Sequence, residues 1–162
     1  MKLAISVSGE IVEGGVYASV RPTGSCVMKY RMLLEVVQPI EPILEKLHCT
    51  VLYSRNKTGA TGHTESKNAY AADFKEFIWW PGHDKKGYLV AVLDSPDLRK
   101  ANREWHERGY SEEFDSYVPH ITIRKNISKA QAEKAADILT LEYFRNPFMM
   151  TFGPQSIDAL RD

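Results

Sequence analysis

Two short stretches of this chain carry nearly the same pattern. Leu47-His48-Cys49-Thr50-Val51 and Pro119-His120-Ile121-Thr122-Ile123 each set a His-x-Thr in apolar, strand-forming residues. Successive side chains on a strand point to opposite faces, so His48 and Thr50 share one face while Leu47, Cys49 and Val51 share the other. The same alternation groups His120 with Thr122 and backs them with Ile121 and Ile123. Two such strands side by side would present two imidazoles and two hydroxyls to one site. Histidine titrates close enough to neutrality to act as acid or base, and a pair can divide the work. The threonines would serve as neutral donors to non-bridging phosphate oxygens, so the chemistry that fits is phosphodiester cleavage with no metal and no cofactor.

The repeated motif, HCTV and HITI, resembles the signature of the two-histidine (2H) phosphoesterases. Within that superfamily the chain is most similar to the phage anti-CBASS proteins, which cut cyclic di- and trinucleotide signals of bacterial defence. The likeness rests on the opening MKLAIS, the early tyrosine segment, LHCTVLYSR, FIWWPG and YVPHITI, and spans most of the chain. It implies an α+β fold with two lobes of antiparallel sheet and flanking helices around a central cleft. It also implies that His48, Thr50, His120 and Thr122 are catalytic, with a small cyclic nucleotide as substrate. RNA 2′,3′-cyclic phosphodiesterases and RNA ligase-like enzymes share the same motif pair, and a non-catalytic sponge that only sequesters the nucleotide is a further alternative.

Other residues extend the candidate site. Trp79 and Trp80 face opposite ways if they sit on one strand, so both cannot be core: an exposed indole would stack on a base, or one packs inside while the other caps a helix. Tyr17 is either a core aromatic or a base contact, and the resemblance pairs an N-terminal tyrosine with a tryptophan around the nucleotide. Strict alternation puts Arg124 on the face of His120 and Thr122, where it either neutralises a second phosphate or is simply solvated. Lys29 and Arg21 are weaker cationic candidates. His63, His83 and His106 lack motif context and read as surface residues. A tetrahedral zinc site is not supported, because no cysteine or carboxylate stands at a spacing that would complete one around His48 and His120.

The chain has 162 residues, enough for one domain with a real core, and the expectation is a single bilobal domain over 1–162. Its 21 basic residues balance 21 acidic ones. A protein that grips long DNA or RNA usually carries a basic excess, so the balance speaks against that class and leaves room for a small anion held by local charge. Cys26 and Cys49 are too few for a disulfide framework and read as reduced thiols of a cytosolic protein, the host cytosol if the chain is phage-encoded. A catalytic role for Cys49 is disfavoured by Ile121 at the matching place. Met1 to Ser8 lacks the apolar centre of a signal peptide, and no stretch is long enough to span a membrane. Oligomeric state is left open.

These residues must be positioned by local structure. Lys2 to Val7, Val16 to Val20, Phe74 to Trp80, Tyr88 to Leu93, Phe148 to Phe152 and Ser156 to Leu160 read as strands, in addition to the two motif strands. Val27, Tyr30, Leu33, Leu34 and Val37 recur at helical spacing over Ser25 to Val37, and Pro39 and Pro42 interrupt that pattern. Ser95-Pro96 starts a second helix with Leu98, Ala101 and Trp105 inward and Gly109 at its end. Ser128 with Gln131 forms a capping-box start for a third, with Ala132, Ala135, Ala136 and Leu139 on one face. Ser54 to Asn68, rich in Thr, Gly, Ser and Lys, reads as a connecting loop or a lid.

Overall fold

The computed structural model describes residues 15–37, 47–55, 69–83, 85–112 and 116–159. Their elements are, in chain order, β1 (Val16–Val20), α1 (Ser25–Glu35), β2 (Cys49–Ser54), β3 (Tyr70–Pro81), β4 (Lys86–Asp94), α2 (Pro96–Glu107), β5 (His120–Ser128), α3 (Lys129–Arg145), β6 (Met150–Phe152) and β7 (Ser156–Ala159). The expected strand over Lys2 to Val7, the interruption at Pro39 and Pro42, His63 and most of the expected loop or lid lie outside the described residues.

The strands form one antiparallel sheet in the order β6-β3-β4-β5-β2-β1-β7. The two lobes expected from the sequence are therefore two halves of a continuous sheet, joined where Cys49 of β2 pairs with Ile121 of β5. The sheet curls into a half-barrel. Its curl brings the chain just beyond β1 onto β6: Thr23 N–H donates to the Thr151 carbonyl at 2.9 Å and Gly153 N–H to the Arg21 carbonyl at 3.0 Å.

All three helices bury their apolar stripes in one cluster with one side of the sheet. Tyr30, Leu33 and Leu34 of α1, Leu98, Ala101 and Trp105 of α2, and Ala132, Ala135, Ala136 and Leu139 of α3 meet Cys49, Leu89, Ala91, Leu93 and Ile121 there. The starts of α2 and α3 follow side-chain caps, whereas α1 starts after Gly24 without one. The Ser95 hydroxyl accepts from Leu98 N–H at 3.1 Å with Pro96 at the first helical position, and Ser128 accepts from Gln131 N–H at 3.3 Å. Helix α1 stops at Glu35, and Val36 and Val37 tighten into i→i−3 bonds on Leu33 and Leu34. Gly109 ends α2 at φ 92°, where a side chain would be strained. Strand β6 begins two residues later than expected because the Tyr143 hydroxyl takes the Phe148 carbonyl at 3.2 Å.

Candidate active site

The Cys49–Ile121 pair assembles the site. Both residues are fully buried on the helix side of the sheet, with no exposed surface. One step along each strand in opposite directions sets Thr50 across from His120 and His48 across from Thr122, all on the opposite face. Beneath the second motif, Val92 pairs with His120 and Val90 with Thr122. These two valines are buried yet stand outside the core cluster, forming an apolar floor on the histidine face.

His120 is half-buried, and its tautomer is fixed by geometry. Its Nδ1 lies 2.8 Å from the Val118 carbonyl. A carbonyl only accepts, so Nδ1 carries the proton and neutral His120 keeps its Nε2 lone pair. The Trp80 indole covers the ring at a centroid distance of 4.4 Å and an interplanar angle of 60°. Burial lowers the His120 pKa from its ordinary value of 6.5, the charge of nearby His48 lowers it further, and the Val118 bond offsets part of the effect. His48 is exposed and has the Tyr17 ring edge-on at 6.2 Å. The Tyr17 and Thr50 hydroxyls lie 3.2 Å apart, so Tyr17 orients the threonine that faces His120.

The structure separates the remaining candidates. Trp79 packs against the core and donates its indole N–H to the Ile127 carbonyl at 3.0 Å, so of the tryptophan pair it is Trp80 that meets a histidine. Arg124 departs from strict alternation. The register shifts between Leu89 and Val90, pairing Thr122 with Val90 but Arg124 with Leu89, a core-side residue. The extra residue of this β-bulge breaks the period on which the shared face depended. Lys29 is not brought to the histidines: it lies on α1 and lines a groove of about 640 Å³ with Met32, Glu142 and Arg145 in the helix layer, on the far side of the sheet. Arg21 sits where the chain crosses to β6. Cys49 is a thiol and no nucleophile, because burial pushes its pKa up to about 12.

Two supports of the site escape a reading of sequence. Tyr117, three residues before His120, donates its hydroxyl to the Thr50 carbonyl at 2.7 Å and so ties the approach to the second motif onto the strand of the first. Its place within YVPHITI was the available signal. On the core side, Asn102 of α2 donates to the Val51 carbonyl at 2.9 Å and to a Glu112 carboxylate oxygen at 2.8 Å. Val51 is the residue that β1 skips, since Ala18 pairs with Leu52 and Ser19 with Thr50. Burial raises the Glu112 carboxyl, while the charge of His106, the Asn102 bond and the Tyr53 amide pull it back down. His106 is thus partnered across 4.0 Å. Contacts of this kind link residues about 50 positions apart and leave no periodic trace.

Among the described residues no three His, Cys, Asp or Glu side chains gather in a way that could hold a metal. The arrangement offers two imidazoles, two hydroxyls and flanking aromatic rings on an apolar floor, suited to proton transfer on a planar-base ligand.

Known proteins share this architecture and sequence. The solved structure of Kluyveromyces marxianus Usb1 superposes with a TM-score of 0.54 over 89% of this chain and 93% of that one, at 9% sequence identity. It therefore shows the fold alone. An anti-CBASS protein Acb1 of Acinetobacter phage Ac42 is 28% identical over 124 residues, covering 76% of this chain and 81% of that protein. Another, from Escherichia phage RB16, is 30% identical over 129 residues, 76% of this chain and 70% of its own length. The profile of the family described as Anti-CBASS protein Acb1 matches residues 14–146, a span that holds both His-x-Thr motifs, Tyr17 and Trp80, and the chain belongs to that family.

Proposed function

We propose that the protein is a metal-independent phosphodiesterase that cuts 3′-5′ linkages of cyclic di- and trinucleotide signals, and that it counters bacterial defence in the host cytosol. The observation that carries this reading is the Cys49–Ile121 pair, which gathers both His-x-Thr motifs on the face left open by the helices. His120, neutral and with Nε2 available, takes the proton of a ribose 2′-hydroxyl. The 2′-oxygen bonds to the adjacent phosphorus as the bond to the 5′-oxygen breaks, and His48 gives that oxygen its proton. The products are a 2′,3′-cyclic phosphate and a free 5′-hydroxyl. Water then opens the cyclic phosphate with the roles of the histidines exchanged.

Thr50 and Thr122 donate to the non-bridging oxygens, whose charge grows in the transition state. Trp80 beside His120 and Tyr17 beside His48 offer one aromatic ring on each side of the scissile phosphate. The test is incubation with a panel of cyclic di- and trinucleotides in excess EDTA, with products identified by mass. Linear nucleotides ending in a cyclic or opened phosphate are expected. Stoichiometric retention of intact ligand would make the protein a sponge, and turnover restricted to RNA-terminal cyclic phosphates would place it with the RNA enzymes.

A further inference from the structure

A groove of about 320 Å³ lies at the end of the β3–β4 hairpin, lined by Gly82, His83, Lys86, Gly87, Tyr88 and Asn126. Nothing in the proposed reaction uses it. It continues the histidine face, because Tyr88 and Lys86 follow Val92 and Val90 at every second residue of β4, and Tyr88 pairs with Trp80. Backbone geometry keeps it open. Asn126 bulges out of β5 at φ 56°, and Gly82 lies where an added Cβ would come within 3.2 Å of the Tyr88 ring. Lys86 lies four strand steps from Val90, which stands beneath Thr122, about 13 Å at the rise of a strand.

The chemistry of the lining suits a nucleotide: an aromatic ring, an ammonium group, an imidazole and a carboxamide. On the proposed reading, the two bases that flank the scissile phosphate already have a ring each, Tyr17 and Trp80. A further aromatic and cationic groove along the same face is surplus to a two-base ring. We infer that this groove is the subsite for the third nucleotide of a cyclic trinucleotide, stacking its base on Tyr88 and holding its phosphate with Lys86 and His83. The inference rests on the proposed function, whose substrate range it makes specific.

The experiment compares cleavage of a cyclic trinucleotide and a cyclic dinucleotide by the wild type, by the exposed-residue double variant His83→Ala/Lys86→Ala and by Lys86→Arg. Loss of a charge-assisted phosphate contact should raise KM for the trinucleotide by about tenfold at unchanged kcat, leave the dinucleotide within about twofold, and be largely rescued by arginine. Unchanged trinucleotide KM, or equal changes for both rings, overturns the subsite and leaves the proposed function standing. Calorimetric binding of the trinucleotide to His120→Ala, with and without the double change, reads the subsite independently of turnover. Affinity that depends on Lys86 in a protein whose wild type cuts neither ring upholds the subsite and overturns the proposed hydrolysis.

Discussion

His120 illustrates how one residue's surroundings set its chemistry. Trp80 and the sheet remove water from the imidazole, which disfavours the cation, and the nearby His48 charge disfavours it again. In the proposed mechanism this makes His120 a base that stays neutral at neutral pH, so the acid limb of kcat/KM is expected below 6.5. An NMR titration of the free protein should give the same ordering for the His120 ring. The linkage runs in the matching direction. As pH falls, the unfolded chain takes up this proton first, so the stability that neutral His120 contributes is present above 6.5 and is lost as pH falls toward the folded value. His120→Ala should remove that part of the acid destabilisation in pH-dependent melts. It and His48→Ala should each lower kcat by roughly 10²- to 10⁴-fold, and the double variant by much less than the product, because the two act as a unit. A folded single variant with near wild-type turnover would remove that histidine from the mechanism.

At the scale of elements, what the sequence discloses is period and what it conceals is the break in period. Alternation around Cys49 and Ile121 places both histidines correctly relative to the core, because one face is fully buried and a one-residue slip would expose it. Alternation fails at Arg124, since a bulge adds one residue without changing composition. It also says nothing of Tyr117, whose bond to Thr50 joins the two motifs across 67 positions. Tyr117→Phe should leave the Thr50 carbonyl short of a partner and lower stability by about 1 to 3 kcal/mol in denaturant unfolding. It should also reduce kcat at temperatures well below the melting point, because the strand carrying Thr50 is no longer pinned to the approach of His120. The tryptophan pair on β3 separates in the same way. Trp80→Ala should weaken nucleotide binding by roughly 1 to 3 kcal/mol with little effect on folding. Trp79→Phe should lower the melting temperature and spare affinity, since it loses the bond to Ile127. Equal effects of both changes on affinity would remove Trp80 as the stacking ring.

For the whole molecule, the curled sheet is shared with Usb1 although only 9% of the aligned residues are identical. In this chain one side of that sheet is apolar under helices, and its two halves meet at one seam. Residues on the histidine side of that seam are brought together from both halves, and the proposed pairing of acid and base draws on that. Net neutrality adds a second constraint at the same scale. With 21 charges of each sign, long polyanions gain little general attraction, and selectivity falls to the groups around the seam. The proposed route then makes a sharp demand on the substrate. The attacking atom is the ribose 2′-oxygen, supplied by the ligand, so a cyclic nucleotide with a deoxyribose at the scissile position should bind with near-normal affinity and remain intact. Its ribose counterpart should be cut in excess EDTA, with a 2′,3′-cyclic phosphate detectable at early times by mass. Rapid cleavage of the deoxy linkage would make water the direct nucleophile and remove the cyclic-phosphate route, while activity lost to EDTA and restored by a divalent cation would move the electrophilic work from the threonines to a metal ion.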